Sequence, residues 1–119
     1  MKKVLLLVTT LLFATHLFSK ELPIADGTYQ FIHKFSEQPN IPSIKLEAVI
    51  SKGTLTMTNR DKEGIFPLGI IESGELYFHE LSGEWIILDA PEDKKASEVG
   101  ACTNGPSAVD LLNRIYWTC

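Results

Sequence analysis

Alternation of apolar and polar residues dominates the chain from residue 26 to residue 89 and predicts short β-strands. The segment 28–35 is typical, because its aromatic residues and His33 occupy every second position. Pro67 and Gly69 interrupt one of the later segments, which predicts a bent or edge strand there. Six segments fit short strands: residues 28–35, 43–50, 54–58, 65–72, 75–81 and 85–88.

Polar, glycine-containing or proline-containing segments separate these strands. Residues 36–42 contain two prolines and predict a loop. Residues 91–97 begin with proline, continue with acids and end with lysines, an order that predicts a short helical turn. Shorter turns are predicted at residues 51–53, 59–64, 72–75 and 82–84. The spacing predicts an antiparallel meander of about six to seven strands, closed as a barrel or folded as a sandwich.

The C-terminal region changes character and predicts a short helix over residues 108–114. Ser107 followed by Asp110 matches a capping box, the side-chain pair that begins many helices. Residues 115–119 are predicted to be extended and to close the sheet. The alternative is one continuous strand over residues 109–119.

The N-terminal region has the pattern of a secretory signal peptide. Two lysines precede a run without acidic or basic residues other than histidine, which extends to Phe18. The run is shorter than the ~20 residues that span a bilayer, although a retained membrane helix is the alternative. Cleavage is predicted after Ser19, with Ala14 as a second candidate. Residues 1–19 are then the signal peptide, and residues 20–119 form a single exported domain, periplasmic or secreted.

Export changes the interpretation of the two cysteines, Cys102 and Cys119. In an oxidising compartment they are expected to form a disulfide. The bond would close a loop with 16 residues (103 to 118) between the cysteines, which the chain-entropy model values at roughly 3 kcal/mol. Metal ligation by the two thiols is the alternative.

The charge of the predicted mature domain is acidic. Removal of Lys2 and Lys3 leaves 9 of the 11 basic residues against 15 acidic residues, a balance of −6. Nucleic-acid binding requires a basic face that neutralises phosphate, so a nucleic-acid partner is not expected. The same balance argues against an anionic membrane surface, and no stable membrane insertion is expected after signal cleavage.

Residues 72–93 contain seven acidic residues and no lysine or arginine, and the next lysine is Lys94. If neighbouring hairpins bring several of these acids to one edge, they would attract a basic exported protein. A solvated face that keeps the domain soluble is the alternative. An exposed apolar tip around Phe66 is a further candidate for partner contact. The predicted partner-binding residues are Glu72, Glu75, Glu80, Glu84 and Phe66.

Enzyme chemistry has little support in the sequence. No nucleophile motif is present, and the turn carboxylates are expected to be solvated. His33 is expected to be partly buried with a satisfied hydrogen bond, whereas His79 is expected to face solvent. No cofactor, metal or catalytic residue is therefore predicted, and the protein is expected not to be an enzyme.

Two classes of binding function remain. The first is a protein-binding module that uses the acidic turns, with inhibition of a cationic exported enzyme as one such role. The outline of an exported acidic β domain with one disulfide resembles that of bacterial periplasmic lysozyme inhibitors, but no residue is carried over from that resemblance. The second is a small-molecule carrier, a barrel with an aromatic pocket lined by Tyr29, Phe31, Trp85 and Trp117.

Overall fold

The strand pattern closes into a barrel in the computed structural model, which describes residues 20–119. The predicted signal peptide, residues 1–19, lies outside the described residues. Within residues 20–119, no helix is both long enough and apolar enough to cross a membrane. The strands are β1 (Gly27–Phe35), β2 (Gln38–Ser51), β3 (Thr54–Asn59), β4 (Gly69–His79), β5 (Glu84–Ile87), β6 (Ala108–Asp110) and β7 (Ile115–Thr118).

Each strand pairs antiparallel with the next along the chain, and β1 pairs with β7 to close the barrel. This last pairing is parallel and runs from Ile32 opposite Ile115 to Phe35 opposite Thr118. Because the strands alternate in direction and their number is odd, the first and last strands must point the same way. The predicted β meander is confirmed as a barrel, and the predicted extended C-terminal segment is the strand that closes it.

Alternate residues of the strands point into the barrel and fill it. Phe31, Leu55 and Met57 are fully buried there. Leu22 and Ile24, from the segment before β1, pack against the same cluster. Burial of such side chains contributes ~1.5–3 kcal/mol each before conformational entropy is subtracted. The buried apolar cluster comprises Phe31, Leu46, Ala48, Ile50, Leu55, Met57, Leu76, Ile87, Val109, Leu111 and Tyr116.

The long connection between β5 and β6 packs against the outside of β4. The predicted helical turn is confirmed as a short 3₁₀ helix, Pro91–Lys95, whose Lys94 lies 5.3 Å from the ring centre of Tyr77. His79 holds the next part of the connection, because its Nε2 lies 2.7 Å from the Ala96 carbonyl oxygen. Its Nδ1 lies 2.8 Å from Ser82 Oγ. His79 is therefore buried, and the prediction that it faces solvent was wrong.

Residues 36–42 were predicted as a loop, but β2 already begins at Gln38. The first half of β2 pairs only with β1, since β3 pairs with β2 from Glu47 onward. This part of β2 therefore has one open edge, where prolines such as Pro39 and Pro42 do not break a hydrogen-bond ladder.

The turn predicted at residues 72–75 is also absent, because β4 runs unbroken from Gly69 to His79. Gly74 lies opposite Leu55 within the strand. A Cβ atom at Gly74 would lie 2.5 Å from the Leu88 carbonyl oxygen. Here glycine permits a close approach between backbones and does not mark a turn.

The helix predicted over residues 108–114 is replaced by β6, a tight turn and β7. The Asp110 carboxylate accepts hydrogen bonds from the backbone N–H and the side-chain amide of Asn113, both at 2.9 Å. Arg114 then has a positive φ of 59°, which a continuing helix or strand would not allow. Asp110, which matched the capping box in the sequence, therefore stabilises this turn and not a helix start. The alternative of one strand over residues 109–119 is wrong for the same reason.

The predicted disulfide is confirmed between Cys102 and Cys119, with Cα atoms 4.8 Å apart. It ties the end of β7 to the connection that precedes β6. Glu37 Oε1 lies 3.9 Å from each sulfur. The three side chains are close enough to share a metal ion, but the sulfurs are bonded to each other and are not thiolates. Metal ligation by two free thiols is therefore wrong for this oxidised state.

Candidate functional site

The best candidate site lies at the end of the barrel where the short turns between strands lie, which we call the base. The turns between β4 and β5 and between β6 and β7 meet the segment 20–23 there. Together they enclose an open depression of about 430 Å³, which we call the base groove. The lining residues that matter below are Lys20, Phe78, Glu84, Trp85, Asp110, Leu112 and Trp117.

Aromatic side chains provide the apolar part of the base groove. Phe78 on β4 lies directly opposite Trp85 on β5. Their rings meet edge to face with centroids 5.4 Å apart, an arrangement that aromatic pairs prefer. Trp117, on β7 at the far side of β6, also lines the groove. Because the rings are held by paired strands, the groove is formed before any partner binds.

Acidic side chains surround these rings. Glu84 and Asp110 line the base groove itself. A second depression of about 400 Å³ shares Lys20, Phe78 and Trp85 with it, and Glu75 and Glu80 line this second depression. Glu75, Glu80 and Glu84, three of the four acids predicted to bind a partner, thus lie in one region of the surface.

Apolar side chains of the two neighbouring turns remain uncovered. Leu112, in the turn between β6 and β7, lines the base groove and is 71 % exposed. Leu81, in the turn between β4 and β5, is 78 % exposed. Exposed leucines beside fixed aromatic rings and carboxylates are typical of a protein-binding surface.

Glu72, the fourth predicted acid, is not part of this surface. It lies opposite Met57, and its carboxylate accepts a hydrogen bond of 2.5 Å from the Tyr116 hydroxyl inside the barrel. Burial raises the pKa of the Glu72 carboxyl, although hydrogen bonds from Tyr116 and Ser107 oppose the effect. Burial likewise raises the pKa of the Tyr116 hydroxyl, and the neighbouring Glu72 raises it further. Glu72 therefore belongs to the core.

The buried pair makes stability depend on pH. The folded pKa of Glu72 lies above its ordinary value of 4.5. The stability that this difference in pKa contributes is therefore fully present below about pH 4.5 and is lost as pH rises through the folded pKa. Replacing Tyr116 with phenylalanine removes a donor to the carboxylate. We expect Tyr116→Phe to lower the free energy of unfolding by about 1.5 kcal/mol near neutral pH. The loss should be smaller at about pH 4, where Glu72 is mostly protonated.

Urea denaturation at the two pH values measures this difference. Tyr77→Phe is the matched control, because Tyr77 lies on the outer face of β4 next to Lys94. Equal losses for Tyr116→Phe at both pH values would show that the hydroxyl does not support an ionised Glu72.

Phe66, the predicted apolar contact, lies at the opposite end of the barrel. Its half-buried ring packs edge to face on His33 with centroids 4.9 Å apart. Asn59 holds this loop by donating from Nδ2 to the Phe66 carbonyl oxygen at 2.8 Å. The neighbouring Ile65 and Leu68 are the exposed residues, at 60 % and 57 %. Phe66 thus covers the core, and its neighbours form the apolar tip.

His33 is buried inside the barrel at this same end. Its Nε2 lies 2.7 Å from Thr118 Oγ1, which confirms the expected hydrogen bond, but the side chain is fully buried and not partly buried as predicted. No residue among 20–119 makes a hydrogen bond with its Nδ1. Burial lowers the pKa of the His33 ring, so the ring is neutral in the folded domain near neutral pH.

The four aromatic residues considered for a small-molecule pocket do not share one cavity. Phe31 is fully buried in the core. Tyr29 is half-buried and packs against the core cluster, with the Arg114 guanidinium 4.8 Å from its ring centre and its hydroxyl donating to the Ala25 carbonyl oxygen. Trp85 and Trp117 do come together, in the base groove.

Two groove residues, Asp110 and Lys20, could not be chosen from the sequence. Asp110 reaches the groove only because residues 108–118 form a hairpin instead of a helix. Lys20 adjoins the predicted cleavage site and carries no local signal of a surface role. No protein-family model matches the chain, and no curated protein or solved structure shows significant similarity to it.

Proposed function

We propose that this protein is a non-enzymatic binding module that recognises a basic protein outside the cytoplasm through the base groove. The observation that carries the proposal is the grouping of Glu80, Glu84 and Asp110 around the rings of Phe78 and Trp85. Carboxylates attract a cationic partner, and fixed aromatic rings supply contact area with little loss of conformational entropy. A cationic exported enzyme, inhibited when bound, is the partner class that we favour.

Overall charge supports the proposal as well. Residues 20–119 contain 15 acidic and 9 basic residues, a balance of −6. Arg60 and Glu47 form the single ion pair within 4.0 Å in this part of the chain. The carboxylates of the base are therefore not neutralised by direct pairing, and their field acts on an approaching partner.

The closed barrel with its disulfide also suits a binding role. Paired strands hold the aromatic rings, Glu84 and Asp110, so little ordering cost arises for these residues on binding. The core fills the barrel interior, which leaves the outer surfaces and the ends for recognition.

We expect the double variant Glu80→Lys, Glu84→Lys to bind a lysine-rich peptide about tenfold more weakly than the unchanged protein, because attraction becomes repulsion. Fluorescence anisotropy of the labelled peptide measures this affinity. The unchanged protein should also lose affinity between about 50 and 500 mM salt, since screening shortens the reach of the charges.

The matched control is Glu63→Lys, Glu92→Lys, which makes the same change in net charge at exposed acids that do not line the base groove. The proposal is wrong if both double variants lose affinity equally, or if neither does.

A further inference from the structure

We infer that the base groove binds a single lysine or arginine side chain of the basic partner, at the position where Lys20 of the chain itself lies over the ring of Phe78. This inference rests on the proposed function and names the chemical group that the groove recognises: an alkylammonium or guanidinium ion.

Lys20 shows that a cation fits this position. Its Nζ lies 3.9 Å from the ring centre of Phe78, within the range of a cation–π contact. The side chain lines both depressions of the base, one shared with Glu84 and Asp110 and the other with Glu75, Glu80 and Lys94. The position therefore combines an aromatic face with carboxylates in both adjoining depressions, and aromatic faces are a common binding surface for organic cations.

The ring that receives the cation is held in place. Phe78 pairs with Trp85 across β4 and β5, and the two rings meet edge to face. One face of Phe78 is occupied by the Lys20 ammonium group. A partner side chain would meet a site already formed, with little reorganisation.

Lys20 itself is weakly held. It is exposed and forms no ion pair within 4.0 Å with any residue among 20–119, so Glu80, Glu84 and Asp110 remain available to another cation. Its backbone is anchored nearby, because Leu22 packs against the core. Lys20 is thus an internal competitor that a partner's lysine or arginine can displace.

The first experiment removes the competitor. We expect Lys20→Ala to tighten binding of the labelled lysine-rich peptide by about two- to fivefold, the range that an exposed cation–π contact would give. Lys62→Ala is the matched control, since it removes the same charge from an exposed loop at the other end of the barrel. The inference is overturned if the two variants change the affinity equally, or if Lys20→Ala weakens binding.

The second experiment tests the recognised group. The pentapeptide Gly-Gly-Lys-Gly-Gly should displace the labelled peptide, whereas its Nε-acetylated form should not. Equal displacement by the acetylated form would show that the groove accepts an apolar side chain instead, which overturns the inference.

The two proposals fail in different ways. If Glu80→Lys, Glu84→Lys weakens binding but Lys20→Ala matches Lys62→Ala, the base groove binds a basic partner and the Lys20 position is not the anchor. If the acid reversals leave affinity unchanged as well, the proposed function fails together with the inference.

Discussion

Removal of the disulfide is expected to lower the free energy of unfolding by about 3 kcal/mol. The double variant Cys102→Ala, Cys119→Ala releases a loop with 16 residues (103 to 118) between the joined positions, so the unfolded chain gains conformational freedom. The loop contains both β6 and β7. Since β7 closes the barrel by pairing only four residues with β1, the released loop also loses the constraint that keeps this pairing in place.

Urea denaturation of the double variant gives the size of the loss. The unchanged protein in the presence of a reductant should show the same loss, because both treatments remove the bond and little else. A loss below about 1 kcal/mol in both cases would show that the closed loop does not limit the unfolded chain. Free thiols in protein purified without reductant would contradict the bond itself.

The second large effect is expected for Gly74→Ala, which should cost about 3 kcal/mol or more. The new Cβ would lie 2.5 Å from the Leu88 carbonyl oxygen and 2.9 Å from Ile87 Cγ2. Leu88 cannot easily move away, because its N–H donates to the Glu75 carbonyl oxygen at 2.9 Å. The substitution therefore forces β4 and β5 apart where they enter the core.

Denaturation measures the loss, and hydrogen exchange should show faster exchange for amides shared by β4 and β5 than for those shared by β1 and β2. Ser73→Ala is the control at the adjacent exposed position, where only a hydrogen bond between Ser73 and Thr56 hydroxyls is removed. If the two variants lose equal stability, the close approach at Gly74 does not shape the barrel.

The alternation of apolar residues was sufficient to predict most of the strands and an antiparallel meander, but not to decide between a barrel and a sandwich. It succeeds because an inward-facing residue at every second position is a direct consequence of strand geometry. The failures lie where one residue type serves two conformations. Gly74 suits a turn, yet it also allows two backbones to approach. Asp110 suits a helix start, yet here it accepts hydrogen bonds from Asn113 within a tight turn.

The candidate site was predictable only in part, and for a physical reason. Glu80 and Glu84 flank one short turn, so their proximity follows from local sequence. Glu72 follows the same acidic pattern, but its position opposite Met57 directs it into the core. Asp110 and Trp117 join the groove only after the barrel closes, and that pairing is set by contacts between residues far apart in sequence.

The most direct measurement of the central claim is an NMR titration of the ¹⁵N-labelled protein with the lysine-rich peptide. We expect the largest shifts at Glu80 and Glu84 and at the indole N–H groups of Trp85 and Trp117, which line the base. Shifts concentrated around the apolar tip at Ile65 and Leu68, or an absence of shifts at the base, would contradict the assignment of the base groove as the binding site.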